Sequence, residues 1–209
     1  MEDRRKILDQ LIEEERENNS VVQYIESNQK KTILKLREIV VSGYIPSRNA
    51  EAYSYLTKFG KPTYSLINCL GHAVFNLKNA QIDEIGFNEI DRESLRTFRY
   101  FDYDSNDIIA KRMIHFIEET GLTVKPTQFK KILKNNQWRV ALYFDKNPKS
   151  RDFHFFLQES PNHWTSKIGI TQTITHNMNL GKVYKNYEFY DIYEITNPFA
   201  KTEDEKIKI

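Results

Sequence analysis

One side chain in this sequence can act as a soft nucleophile at neutral pH. It is Cys69, the only cysteine, in the stretch Asn68-Cys69-Leu70-Gly71-His72. Leu70, Ala73, Val74 and Leu77 follow it at helical spacing, and Asn68 suits the cap position, so Cys69 is expected in the first turn of a helix. Unpaired backbone N–H groups and the positive end of the helix dipole favour a thiolate there, and the same groups can hold a developing oxyanion. The competing reading is a small buried hydrophobe, since lone cysteines are among the most buried residue types.

A thiol nucleophile needs a base, usually histidine. The chain offers His72, His115, His154, His163 and His176. His115 falls within an amphipathic helical pattern and reads as a surface or boundary residue. His163 and His176 lie in polar, turn-like segments. His72 is three residues past Cys69 and constrained by its own backbone, which ranks it second. His154 is the preferred base: in Asp152-Phe153-His154-Phe155-Phe156-Leu157-Gln158 alternate residues share a strand face, so His154 shares its face with Asp152, Phe156 and Gln158. A third group normally orients the imidazole. Asp191 is preferred, on condition that its strand neighbours the histidine strand. Gln158, about 13 Å along the same strand, is the alternative, and Asp152, about 7 Å away, is expected to be too exposed. Asn68 is a candidate oxyanion donor beside the Cys69 N–H, unless its side chain is consumed as the cap.

Other chemistries lack their residues. There is no glycine-rich phosphate loop, no His-Glu-x-x-His and no second pair of ligands to complete a zinc site with Cys69 and His72. No cofactor or metal is therefore expected. The 31 Lys and Arg against 29 Asp and Glu give no charge excess that would point to nucleic acid or an anionic membrane. The basic run through residues 125–139 reads as a solvated helix face.

The elements that must position these residues follow from periodicity. Residues 3–17 read as an amphipathic helix, and a second helix is expected from a Ser20 cap through Val40, stopped at Gly43 and Pro46. Residues 47–65 carry turn and short-strand signals. A helical region spans 91–120, clearest after a cap at Asp104 or Ser105 and stopped by Gly121. From residue 137 the period changes to two: Gln137–Asp145, the His154 segment, Asn162–Ile170 and Asn186–Ile195 read as strands. Helices first and strands later predict an α+β fold in which a meander-like antiparallel sheet backs the nucleophile helix. The expected organisation is a helical extension over 1–42, a catalytic domain over 43–200 and a charged tail over 201–209. A mean hydropathy of −0.66 and the charged N-terminus argue for a cytoplasmic protein as synthesised, without signal peptide or transmembrane segment. Non-classical export stays open.

Cysteine on a helix followed by histidine on a sheet strand is the order of the papain-like cysteine peptidases. Asn68, Cys69 and Ala73, then Asp152, His154 and Gln158, then Trp164, Lys167 and Gly169 resemble, in order and rough spacing, three motifs of a little-characterised bacterial branch of that superfamily. The resemblance covers about residues 64–170. The chain departs from it at His72 (aromatic there), Leu157 (Arg), Ser166 (His) and Ile168 (Pro). What it implies is a papain-like fold with Cys–His chemistry. The expected function is a cysteine-dependent hydrolase or acyltransferase that acts on an amide bond through an acyl-thioenzyme, as a peptidase, deamidase or toxin/effector-type activity. Its partner would be a protein or peptide substrate, with a further partner or self-association through residues 1–42. The alternative is an inactive papain-like scaffold that binds protein.

Overall fold

The computed structural model describes residues 17–45, 66–75, 84–147, 152–169 and 180–200, with 14, 77, 82, 149, 150 and 174–177. The expected helix over 3–17, the turn and strand signals over 47–65 and the charged tail lie almost entirely outside the described residues.

Helix α1 runs Ser20–Val41. Its cap is Asn19 rather than the expected Ser20: the Asn19 side chain accepts the N–H groups of Val21 and Val22, satisfying donors that have no partner within the helix. Gly43, at a φ of +78°, ends it in a conformation that costs a residue with a Cβ. The inner stripe of α1 carries Ile33, Leu36, Ile39 and Val40 into the same core as Leu70, Met113 and Phe155. Residues 20–41 thus pack as part of the domain. A capping box at Asn88 starts α2, Glu89–Ser94, and Ser105 caps α3, Asn106–Glu119.

Among the described residues seven strands form one antiparallel sheet: β1 Thr123–Pro126, β2 Gln137–Asp145, β3 Phe153–Ser160, β4 His163–Lys167, β5 Ile174–Asn177, β6 Val183–Tyr184 and β7 Tyr187–Thr196. Their order is β1-β7-β2-β3-β4-β5, with β6 paired to β7. From β2 to β5 the strands form a meander, and β7 returns to the far side of β2. The expected α+β architecture with an antiparallel sheet is what the chain adopts. Residues 127–136 are turns and irregular backbone rather than the helix face expected for the basic run. Among the described residues no helix is long and apolar enough to cross a membrane.

Period-two alternation sends Trp138, Val140, Leu142, Phe144, Phe153, Phe155 and Leu157 to the helix side of the sheet, where they form the main core. Ala141, Tyr143, Phe156 and Trp164 point to the other side and form a second, smaller core, packed against Tyr184, Tyr187 and Phe189 of the returning segment. Both faces of β2 and β3 are buried, which is why the polar residues on these strands need partners inside the protein.

Candidate active site

Cys69 sits where the sequence places it, in the first turn of a helical segment capped by Asn68. The Asn68 side chain accepts the Gly71 N–H at 3.1 Å and donates to the Leu95 carbonyl at 2.8 Å. Asn68 is therefore the cap of this turn, with one of its two amide hydrogens held by Leu95. Past Cys69 the backbone widens into a π-helical turn, Gly71–Phe75, a form concentrated at functional sites.

The register of β4 against β3 ends at Leu157↔Thr165, so among the described residues the first half of β3 pairs only with β2. Cys69 occupies this open edge: its thiol donates to the Phe153 carbonyl at 3.8 Å. Burial pushes the thiol up to about 12 and the Asp152 charge adds to that, while the N–H groups of Phe155 and Leu70 and the amine of Lys167 pull the other way. At rest the sulfur is a thiol.

Lys167, at the end of β4, is wholly buried and donates to the carbonyls of Ile67 at 2.5 Å and Gly169 at 2.6 Å. Desolvation brings its amine down to about 7. It ties the residue before the Asn68 cap to the turn after β4, which holds the thiol segment against the sheet.

His154 faces the other side of the sheet, the consequence of its odd step from Phe153 and Phe155. Its ring stacks on Tyr184 with centroids 5.7 Å apart and planes 8° apart, and Nε2 lies 2.9 Å from Ser166 Oγ. Burial, then the Lys185 charge, lower the imidazole to about 4, so it is neutral at pH 7. No hydrogen bond joins it to Cys69. The two nevertheless line one cleft of about 650 Å³, Cys69 from the open edge of β3 and His154 from the face beside it. Arg96, Arg99 and Lys185 bring positive charge to its walls, and Glu93 and Asp152 negative charge. Asp152 accepts from the Tyr187 hydroxyl at 2.7 Å, which fixes one wall. Lysine in the left-handed region at Lys185 (φ +51°) makes the tight β6–β7 turn that places Tyr184 and Tyr187 around the imidazole.

The other expected site residues lie elsewhere. Asp191 is on β7, and β2 separates that strand from β3. Two strand spacings, about 10 Å, therefore stand between Asp191 and His154, and its Oδ1 accepts its neighbour's N–H, from Ile192, at 2.7 Å. Gln158 accepts from Arg139, donates to the Pro161 carbonyl at 3.1 Å and lines a different cleft, of about 740 Å³, at the opposite end of β3. Neither orients His154.

His72 is buried beneath the π turn, with Nε2 at 3.4 Å from Thr165 Oγ1, and does not line the cleft. His115 is exposed on α3, 3.8 Å from Glu119. His163 lies 3.3 Å from Glu159, and His176 pairs through its backbone with Thr165.

The residues that sequence reasoning missed are Ser166, Lys167 as a tie, and the Tyr184–Tyr187 hairpin. Ser166 and Lys167 stand in the quoted motif, but their roles depend on the β3–β4 register. That register contains a bulge between Gln158 and Ser160 that no residue type announces. No family model, curated protein or solved structure matches the chain.

Proposed function

We propose that the protein is a cysteine-dependent hydrolase or acyltransferase of papain-like type, acting on an amide bond through an acyl-thioenzyme. The observation that carries this reading is the sharing of one polar cleft by a first-turn thiol and a neutral imidazole. The Cys69 proton passes to the imidazole nitrogen not engaged by Ser166, as sulfur attacks the carbonyl carbon. The carbonyl electrons move to oxygen, and the Cys69 backbone N–H, which as a first-turn N–H has no partner within its helix, would donate a hydrogen bond to that oxyanion. Collapse expels the amine, which takes the proton back from His154 and leaves a thioester. Water or an acceptor amine then attacks the thioester, with His154 as base, and the thiol is restored. Peptidase, deamidase and acyltransferase differ only in the acyl donor and the acceptor. Because the pair rests as thiol and imidazole, proton transfer belongs to the substrate-bound state, in which catalytic hydrogen bonds commonly tighten.

A second reading is favoured by two observations, the missing Cys69–His154 hydrogen bond and the thiol raised by burial: a papain-like scaffold that binds protein without catalysis. Acylation by p-nitrophenyl acetate, followed by intact-protein and peptide mass spectrometry, separates the two. The hydrolase reading expects an acetyl adduct on Cys69, absent in Cys69→Ala and formed about 10²–10⁴-fold more slowly in His154→Ala. Modification elsewhere, or at an equal rate in His154→Ala, overturns it and leaves the binding scaffold.

A further inference from the structure

The hydroxyls behind His154 determine which of its nitrogens carries the proton. Thr175 Oγ1 lies 3.2 Å from the Ser166 carbonyl oxygen, which can only accept. The same Oγ1 lies 2.9 Å from Ser166 Oγ, which in turn lies 2.9 Å from His154 Nε2. A hydroxyl has one hydrogen. If Thr175 donates to the carbonyl, Ser166 must be the donor in the hydroxyl pair, and its contact with His154 then requires an Nε2–H. All three contacts are hydrogen bonds in this arrangement. Reversing it, with Thr175 donating to Ser166 and Ser166 to Nε2, leaves the carbonyl contact unmade and moves the ring proton to Nδ1. Among the described residues Nδ1 has no hydrogen-bond partner, so no protein group there compensates for the loss.

We propose that Ser166, backed by Thr175, is a positioning residue that holds His154 as its Nε2–H tautomer and leaves the Nδ1 lone pair free as the base. The inference rests on the reading of His154 as the base for Cys69, and it supplies the third member that neither Asp191 nor Gln158 provides. Stacking on Tyr184 fixes the plane of the ring, and the Ser166 bond fixes its protonation within that plane. A serine is an uncharged acceptor, so it orients the imidazole without stabilising an imidazolium as a carboxylate would. This accounts for a pair that rests neutral. The charged groups at the cleft beside the ring, Lys185 and Asp152, are of opposite sign and do not replace the missing carboxylate.

The test is long-range ¹H–¹⁵N correlation NMR at pH 7 on protein with ¹⁵N-labelled histidine, the His154 signals being identified by their absence in His154→Gln. The expected wild-type pattern is a protonated Nε2 and a bare, pyridine-type Nδ1. In Ser166→Ala and Thr175→Val the two nitrogens move toward intermediate, averaged shifts, and Thr175→Ser restores the wild-type pattern. Acylation of Cys69 in Ser166→Ala falls by a factor on the order of ten, well short of His154→Ala. A proton on Nδ1 in the wild type overturns the proposal whether or not any variant folds, and so does an unchanged pattern in Ser166→Ala. The spectrum is read without substrate. An Nε2–H pattern that responds to Ser166→Ala, alongside acylation indifferent to His154→Ala, upholds the positioning role while rejecting the hydrolase.

Discussion

Two histidines lie against β4, one on each side of the sheet, and each meets a hydroxyl. Thr165 and Ser166 are consecutive, so they point to opposite faces. On the helix side His72 meets Thr165, which donates to Glu159 at 3.1 Å. On the other side His154 meets Ser166, which leads to Thr175. Judged by bonding alone, the His72 arrangement is closer to a catalytic triad, since it ends in a carboxylate. Yet His72 is wholly buried and lines no part of the cleft, whereas His154 opens onto it beside the thiol. A relay orients a ring wherever it occurs. Access to a nucleophile and to solvent is what separates a base from a structural histidine.

The strongest test of that contrast is kinetic. His154→Ala slows Cys69 acylation by about 10²–10⁴-fold, while His72→Gln leaves the rate within about twofold and instead costs about 1–3 kcal/mol of stability in urea unfolding, the typical consequence of disturbing a buried hydrogen bond. Equal kinetic effects would erase the distinction. The next effect is on acid stability. An imidazole at about 4 in the fold, against about 6.5 when unfolded, means that between these pH values the unfolded chain takes up a proton that the folded chain refuses. Stability contributed by neutral His154 is therefore present above about pH 6.5 and lost as the pH falls to about 4, by about 3 kcal/mol in all. Urea titrations across this window show the loss in the wild type and a flatter profile in His154→Phe. A smaller effect is expected at the cap. Asn68→Ala removes the Gly71 and Leu95 bonds and costs about 1–2 kcal/mol by thermal or urea unfolding. His115→Ala, at a site 74% exposed, changes stability by less than about 0.5 kcal/mol and leaves acylation unaltered.

Much of this arrangement is legible in the residue pattern because it is local. Period-two alternation marks Gln137–Asp145 as a strand to the residue, and an asparagine before a helical stripe marks the Cys69 turn. Ser105 and Gly121 bracket α3 for equally local reasons. What could not be read is which strands become neighbours. Asp191 can help only if β7 lies beside β3, and β2 separates them because β7 returns to the far side of the meander. Alternation along β3 correctly separates His154 from Phe153, but it does not say which face the helices cover. That Cys69 enters at an open strand edge, rather than across a face, depends on where β4 stops pairing. From the sequence Ser166 is only a departure from a motif, because its partner, Thr175, is nine residues away and only the β4–β5 register brings them together.

Among the described residues the four-residue strand β5 closes one edge of the sheet, and Thr175, the last member of the chain of hydroxyls, lies on it. An edge strand is held from one side and can be extended or peeled by another segment. On the proposal above, the group that backs Ser166 in setting the His154 tautomer therefore stands at the margin of the sheet. Were a backbone to add to β5 it would steady Thr175, and were one to draw β5 away it would break the two hydroxyl contacts that lead to the imidazole.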